Sequence, residues 1–141
     1  EDPQVYHDTM ARLKRKIDGA RDQLPAPVIR EEEKKDLGLI FYGSMENTIV
    51  EIDDMLEESG LSVSTCRVRA LPLHSGVEDF VRRHDRTIVL EINRDGQLFG
   101  IIRKEFPAEL IPKIHSVSYS DGMPPRARVY SDMILEVLEG L

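Results

Sequence analysis

The chain of 141 residues has no tryptophan, a single cysteine and no apolar run approaching the length of a membrane span. One cysteine rules out an internal disulfide and any multi-cysteine metal site, and a lone thiol suits a reducing compartment. No signal-peptide pattern is present either, so a cytoplasmic protein without a membrane partner is expected. Basic residues are in the minority: 19 Lys and Arg against 26 Asp and Glu leave a net charge of −7. That balance repels a phosphate backbone, and four Tyr, four Phe and no Trp offer no stacking platform, so no nucleic-acid partner is expected. The chain begins Glu1-Asp2-Pro3 rather than at Met, which raises the expectation of a piece excised from a longer protein.

What is present is one domain's worth of α/β patterning. The stretch around which it is organised runs from Arg86 to Leu98. Thr87 to Ile92 is β-branched and apolar, as in a strand covered on both faces, and Asn93-Arg94-Asp95-Gly96 supplies turn residues where a helix must start. A buried strand that ends in a polar turn and feeds a helix is the repeating unit of an open α/β sheet.

Residues 1–7 read as an irregular lead-in, with Asp8 or Thr9 capping a helix to about Leu24, ended by Pro25. Its apolar positions, Met10, Leu13, Ile17, Ala20 and Leu24, form a narrow stripe. Two readings stay open: a helix lying on its own sheet, or a connecting arm that packs against a neighbour. An uncovered stripe would also bring some self-association. After the stiff Pro25-Ala26-Pro27 link, Val28 to Glu32 reads as a short edge strand, and the charge run from Glu31 to Asp36 as solvated surface. Leu37 to Tyr42 is a strand, and Ser44 is placed to cap a helix that ends at Ser59 before Gly60. Its buried face is Met45, Ile49, Ile52 and Leu56. Ser62 to Arg69 is the next strand, with Cys66 inert inside it. Ser75-Gly76-Val77-Glu78 matches a capping box for a helix through His84, a residue suited to the terminal carbonyls. Gln97 to about Glu105 is helical, Ile114 to Tyr119 is a strand, and the prolines of Ser120-Asp121-Gly122-Met123-Pro124-Pro125 are placed to open a last helix. That helix buries Val129, Met133, Ile134, Val137 and Leu138.

Four strands are thus each followed by a turn and a helix. In a parallel sheet those turns share the edge at the carboxyl ends of the strands, where open sheets bind ligands. Ser44, Asn93, Arg94, Asp95, Gly96, Gln97, Asp121 and Gly122 become candidate rim residues. Turn chemistry alone explains most of them, since Asn, Asp and Gly at helix starts need no ligand. Arg94 stands apart, because capping does not call for an arginine.

No catalytic residue emerges. There is no Gly-x-Gly-x-x-Gly after a strand and no phosphate loop, and Ser44 lacks the flanking glycines of a nucleophile elbow. His7, His74, His84 and His115 are scattered without metal-ligand spacing.

Taken in order, Leu39-Ile40-Phe41-Tyr42-Gly43-Ser44, Arg69-Ala70-Leu71-Pro72, Glu91-Ile92-Asn93-Arg94-Asp95-Gly96-Gln97 and Asp121-Gly122-Met123-Pro124-Pro125 resemble a known family. They resemble the carboxyl-terminal domain of the alpha subunit of 2-oxoacid:ferredoxin oxidoreductases, such as the 2-oxoglutarate enzyme. Ile92 stands where family members commonly have glutamine, and Ser120 follows Tyr119 where they tend to have tyrosine directly before the Asp-Gly.

The resemblance implies a three-layer α/β/α fold of transketolase carboxyl-terminal type: a mostly parallel five-stranded sheet with one antiparallel strand. Residues 1–27 would be a connecting helix and linker, and 28–141 the α/β domain. It also implies a parent enzyme that decarboxylates a 2-oxoacid oxidatively with coenzyme A, giving acyl-CoA and reduced ferredoxin. Thiamine diphosphate, Mg²⁺ and iron–sulfur clusters would be held by other domains. Arg94-Asp95-Gly96 and Ser120-Asp121-Gly122 lack the first glycine of the family's Gly-Asp-Gly metal motif, and no Asn follows either. On this reading the chain is an inactive assembly domain that contacts the rest of the alpha subunit and the beta subunit. The alternative is a free-standing module that binds a small anion at the rim, where Arg94 lies beside helix amino termini.

Overall fold

The computed structural model describes residues 2–140. Five strands, β1 (Val28–Arg30), β2 (Leu37–Tyr42), β3 (Ser64–Val68), β4 (Arg86–Glu91) and β5 (Ile114–Ser118), form one sheet in the order β1-β3-β2-β4-β5. Strands β2 to β5 run parallel, and β1 is an antiparallel edge on β3, with Val28 opposite Arg67 and Arg30 opposite Thr65. The expected three-layer α/β/α architecture, with one antiparallel strand in five, is the one observed.

Alternation along the strands sorts the core into two faces. Leu37, Leu39 and Phe41 of β2 join Ile88 and Leu90 of β4 beneath α2 (Glu46–Glu58) and α5 (Ala127–Glu139), through Ile49, Ile52, Leu56, Tyr130 and Ile134. Ile40, Cys66, Val68 and Val89 face the other way, beneath α3 (Ser75–Arg83) and α4 (Gln97–Glu105), through Val77, Phe80, Val81, Leu98 and Ile102. Gly38 lies on this second face because Phe80 needs the room: an added Cβ would stand 2.6 Å from the Phe80 ring. The Cys66 thiol is buried, which pushes its pKa up to about 12 and leaves it inert as expected.

Several local expectations are corrected. The first helix, α1, spans Pro3–Ala20, not Asp8 to Leu24, because Asp2 caps it through Gln4 N–H (2.9 Å) and Pro3 takes the first helical position. A short 3₁₀ turn, Arg21–Gln23, follows, and Leu24 is already extended ahead of Pro25. α1 does not lie on the sheet, for none of its residues is buried. Ser44 caps nothing: Gly43 at φ +61° leads into a 3₁₀ turn, Gly43–Met45, that runs straight into α2. α3 is capped by His74, whose Nδ1 accepts from Gly76 N–H at 3.0 Å, whereas Ser75 N–H donates to Asp22 and Glu78 pairs with Arg82. The prolines at 124 and 125 precede the cap of α5, Arg126, so neither opens the helix. The buried face of α5 is Ala127, Tyr130, Ser131 and Ile134, with Val129 only partly covered.

His84 closes α3 in an unusual setting. It is fully buried, its ring lies 4.2 Å from that of Phe80, and Nδ1 stands 2.7 Å from the Phe80 carbonyl. That geometry assigns the proton to Nδ1 and leaves Nε2 a buried lone pair with no partner among the described residues. A second proton would be buried uncompensated, so desolvation holds the imidazole pKa below its ordinary value; Lys35 and Arg83 push the same way, while the Phe80 carbonyl and Glu31 oppose. Desolvation, with Arg86, lowers the pKa of His115 as well.

Two outcomes are expected. Gly38→Ala should lower stability by about 1–3 kcal/mol, read from urea denaturation, because Phe80 is too confined to swing aside. Depressed histidine pKa values mean that the unfolded chain takes up protons first as pH falls. Stability should therefore be full above about pH 6.5 and decline below it, with a shallower decline in His84→Gln.

Candidate functional site

In this strand order the switch point lies between β2 and β4. The chain leaves β2 toward α2 on one face and leaves β4 toward α4 on the other, opening a crevice at the carboxyl ends of the two strands. The crevice is bridged by side chains from both strand ends, since Asn93 Nδ2 donates to the Tyr42 hydroxyl at 3.2 Å. Beside this bridge is an open cavity of about 420 Å³, lined chiefly by Tyr42, Gly43, Arg69, Leu71, Gln97 and Ile101.

The turn after β4 is built around two acceptors. Asn93 Oδ1 accepts from the backbone N–H groups of Asp95 (3.0 Å), Gly96 (2.7 Å) and Gln97 (3.4 Å), an Asx turn that brings the chain into α4. Gly96 caps that helix at φ +60°, ψ +50°, a left-handed conformation that glycine adopts at least cost. The second acceptor is Glu91, the last residue of β4 and completely buried. Its Oε1 accepts from Leu98 N–H at 2.6 Å and from Asn93 Nδ2 at 2.9 Å, and its Oε2 accepts from Phe99 N–H at 3.0 Å. A carboxylate thus sits on the amino end of α4, where the helix dipole favours it and the first-turn donors lack carbonyl partners.

The neighbouring strand completes the cluster. Ser118 Oγ donates to the Asn93 carbonyl and accepts from Gly96 N–H at 3.1 Å. The Tyr130 hydroxyl, from α5, lies 2.9 Å from the carbonyl oxygen of Glu91 and 3.0 Å from that of Tyr119, and burial pushes its pKa up to about 12. Asp121 organises the last turn: Met123 N–H (3.0 Å), the Tyr119 hydroxyl (3.0 Å) and Arg126 (2.7 Å) all converge on its carboxyl and hold its pKa below the ordinary value.

The structure therefore unites Asn93, Asp95, Gly96 and Gln97 in one hydrogen-bonded turn. No hydrogen bond among the described residues joins Ser44, Asp121 or Gly122 to it. The Arg94 side chain is 87% exposed and pairs with adjacent Asp95 at 2.7 Å. The amides of Gln97, Leu98 and Phe99 at the start of α4 are taken by Asn93 and Glu91. Glu91, Tyr42, Ser118, Tyr130 and Arg69 were not among the expected site residues. A single acid between Leu90 and Ile92, at the end of an apolar strand, is the signal that points to Glu91. Among the described residues no group of three His, Cys, Asp or Glu is placed to hold a metal ion. Asp95 and Asp121, the Asp-Gly acids of the rim, are each paired with an arginine, and they do not fit a thiamine diphosphate–Mg²⁺ site.

A mixed sheet with two helices on each face and a polar rim at the switch point defines the class: the fold is transketolase carboxyl-terminal-like. It is shared with the 2-oxoglutarate:ferredoxin oxidoreductase of Magnetococcus marinus, solved with 2-oxoglutarate, coenzyme A and succinyl-CoA bound. That match has a TM-score of 0.76 and 23% identity over 96% of this chain and 23% of the other. A split-gene transketolase, solved as an inactive β4 tetramer, matches with a TM-score of 0.56 and 18% identity over 77% of this chain and 40% of its own. In sequence, the chain is similar to subunit alpha of 2-oxoacid:ferredoxin oxidoreductase 2 from Aeropyrum pernix, at 27% identity over 73% of this chain. The resemblance read from the motifs is thus carried by a curated relative as well as by the fold. The chain spans only 17% of that relative's length. No family model matches it.

Replacing the Glu91 carboxylate by an amide sets an NH₂ against backbone N–H donors in a dry site. Glu91→Gln should cost about 1–3 kcal/mol and Tyr130→Phe about 1 kcal/mol, measured by urea denaturation. A Glu91→Gln protein as stable as the parent would contradict this reading of the turn.

Proposed function

We propose that this chain is a non-catalytic structural and assembly domain of a thiamine-diphosphate-dependent 2-oxoacid:ferredoxin oxidoreductase alpha subunit, working in the cytoplasm. Residues 1–27 serve as the connecting helix and linker, and 28–141 as the domain itself. The whole enzyme oxidatively decarboxylates a 2-oxoacid with coenzyme A to acyl-CoA and reduced ferredoxin. Other domains of the alpha subunit and the beta subunit hold thiamine diphosphate, Mg²⁺ and the iron–sulfur clusters. The observation that carries this reading is the correspondence in fold of 96% of the chain with 23% of a solved 2-oxoglutarate:ferredoxin oxidoreductase chain. The 27% identity to a curated alpha subunit supports it independently.

The rim fits a supporting part better than a reacting one. The polar groups of the Asn93–Gln97 turn are spent on each other and on Glu91, which makes a stiff edge for neighbouring domains to rest on. The exposed Arg94 and Ser44 and the Asp121-Gly122 turn are what this edge presents to them. A second reading, a free-standing module for a small anionic ligand, is favoured by one observation: the cavity beside Tyr42 has Arg69 on its wall.

Purified chain supplied with a 2-oxoacid, coenzyme A, thiamine diphosphate, Mg²⁺ and an artificial electron acceptor should form no acyl-CoA above the blank. Turnover by the chain alone would overturn the assembly role. Calorimetric titration with coenzyme A, nucleotides and 2-oxoacids should be flat, whereas saturable heat abolished by Arg69→Gln would establish the second reading.

A further inference from the structure

α1 leaves the folded body as an uncovered rod. Tyr6, Met10, Leu13 and Ile17 are exposed by 62%, 47%, 43% and 53%, and their alternating spacing of four and three continues to Ala20, the last residue of the helix. A stripe repeating every three and four residues is the seam of a helix that pairs with another helix. Among the described residues, the side-chain bonds that tie this segment to the body start from the turn after α1, where Arg21 reaches Glu105 at 3.0 Å and Asp22 accepts from Ser75 N–H at 3.1 Å.

The charges beside the seam select the occupant. His7 and Lys14 flank it on one side, and Thr9 and Lys16 on the other, with no carboxylate at any of these positions; Arg21, just past the helix, is taken by Glu105. Asp8 and Asp18 lie outside the flanks, and Asp18 holds Lys14 at 2.7 Å in an exposed pair. A second copy of α1, parallel or antiparallel, would bring cationic and neutral flanks together and form no ion pair across the seam. The helix also belongs to the shared architecture, because 96% of the chain is matched in a solved chain of which that match is only 23%.

We infer that α1 docks against a helix elsewhere in the assembly whose apolar seam has the same spacing and is flanked by Glu or Asp. The self-association that the stripe alone suggests is disfavoured by the flanks. This inference rests on the assembly reading and deepens it by naming the chemistry of the contact.

Two designed helical peptides of about three heptads, with Leu and Ile at the seam and either Glu or Lys at every flanking position, test it on the 141-residue chain. The Glu peptide should bind at least about tenfold more tightly at low salt, and the difference should shrink toward 0.5 M salt. Lys14→Glu with Lys16→Glu should reverse the preference. Leu13→Gln with Ile17→Gln should abolish binding while leaving the melting temperature of the body unchanged. Equal binding of the two peptides, no binding of either, or a preference unmoved by the charge reversal would overturn the inference. Leu13→Gln/Ile17→Gln chain that still joined the oxidoreductase as well as the parent chain would overturn it too, while leaving the assembly role standing.

Discussion

A buried carboxylate can remain inside a fold only when hydrogen bonds replace its water, and Glu91 is the group on which this fold's candidate rim depends. Both of its oxygens are used, toward Leu98, Phe99 and Asn93. Its own carbonyl accepts from Tyr119 N–H at 3.2 Å and lies within reach of the Tyr130 hydroxyl. One residue at the end of β4 thereby ties together the start of α4, the end of β5 and the first turn of α5. Those elements lie on opposite faces of the sheet, so the two halves of the core are locked together at the rim and not only through the strands.

This constraint also bears on what the switch point can do. In open α/β sheets the helix start beside the crevice is commonly left free for an anionic ligand. Here the protein supplies the anion itself, and the Asn93 turn consumes the next amides. What is left exposed is an edge of charged and small polar side chains on a rigid frame, together with a shallow cavity walled by Arg69. An edge held in this way is what the proposed assembly role calls for, and the chain spans 17% of the curated alpha subunit it matches. α1 adds the complementary property: a flank of the chain whose apolar side is not satisfied by its own body.

The architecture was legible because its strands are short, β-branched and bounded by turn residues. β2, β4 and β5 fall within a residue of where pattern places them, and the motif resemblance led to the same mixed sheet. Helix starts were less legible, since capping depends on geometry that residue type alone does not settle. Ser44 and Ser75 have the chemistry of caps, yet α2 is entered through a 3₁₀ turn that opens on left-handed Gly43 without a side-chain cap, and the His74 ring caps α3. Asp2-Pro3 is a strong start signal, but it lies four residues ahead of the first apolar position of the stripe, Tyr6. The candidate site was half legible: the Asn93 turn could be read, but Glu91 finds its donors seven and eight residues on, across a fold that must first form. Arg94 was singled out for being surplus to capping, and the structure gives it only its neighbour Asp95 and solvent.

The most direct measurement is native size fractionation of a lysate from the source cells. Each fraction would be probed with an antibody to the Asn93–Gln97 turn and assayed for coenzyme-A-dependent oxidation of 2-oxoacids. The account predicts that the signal elutes far above 16.1 kDa and coincides with the activity. A signal near 16.1 kDa, separate from every fraction that oxidises a 2-oxoacid, would contradict it.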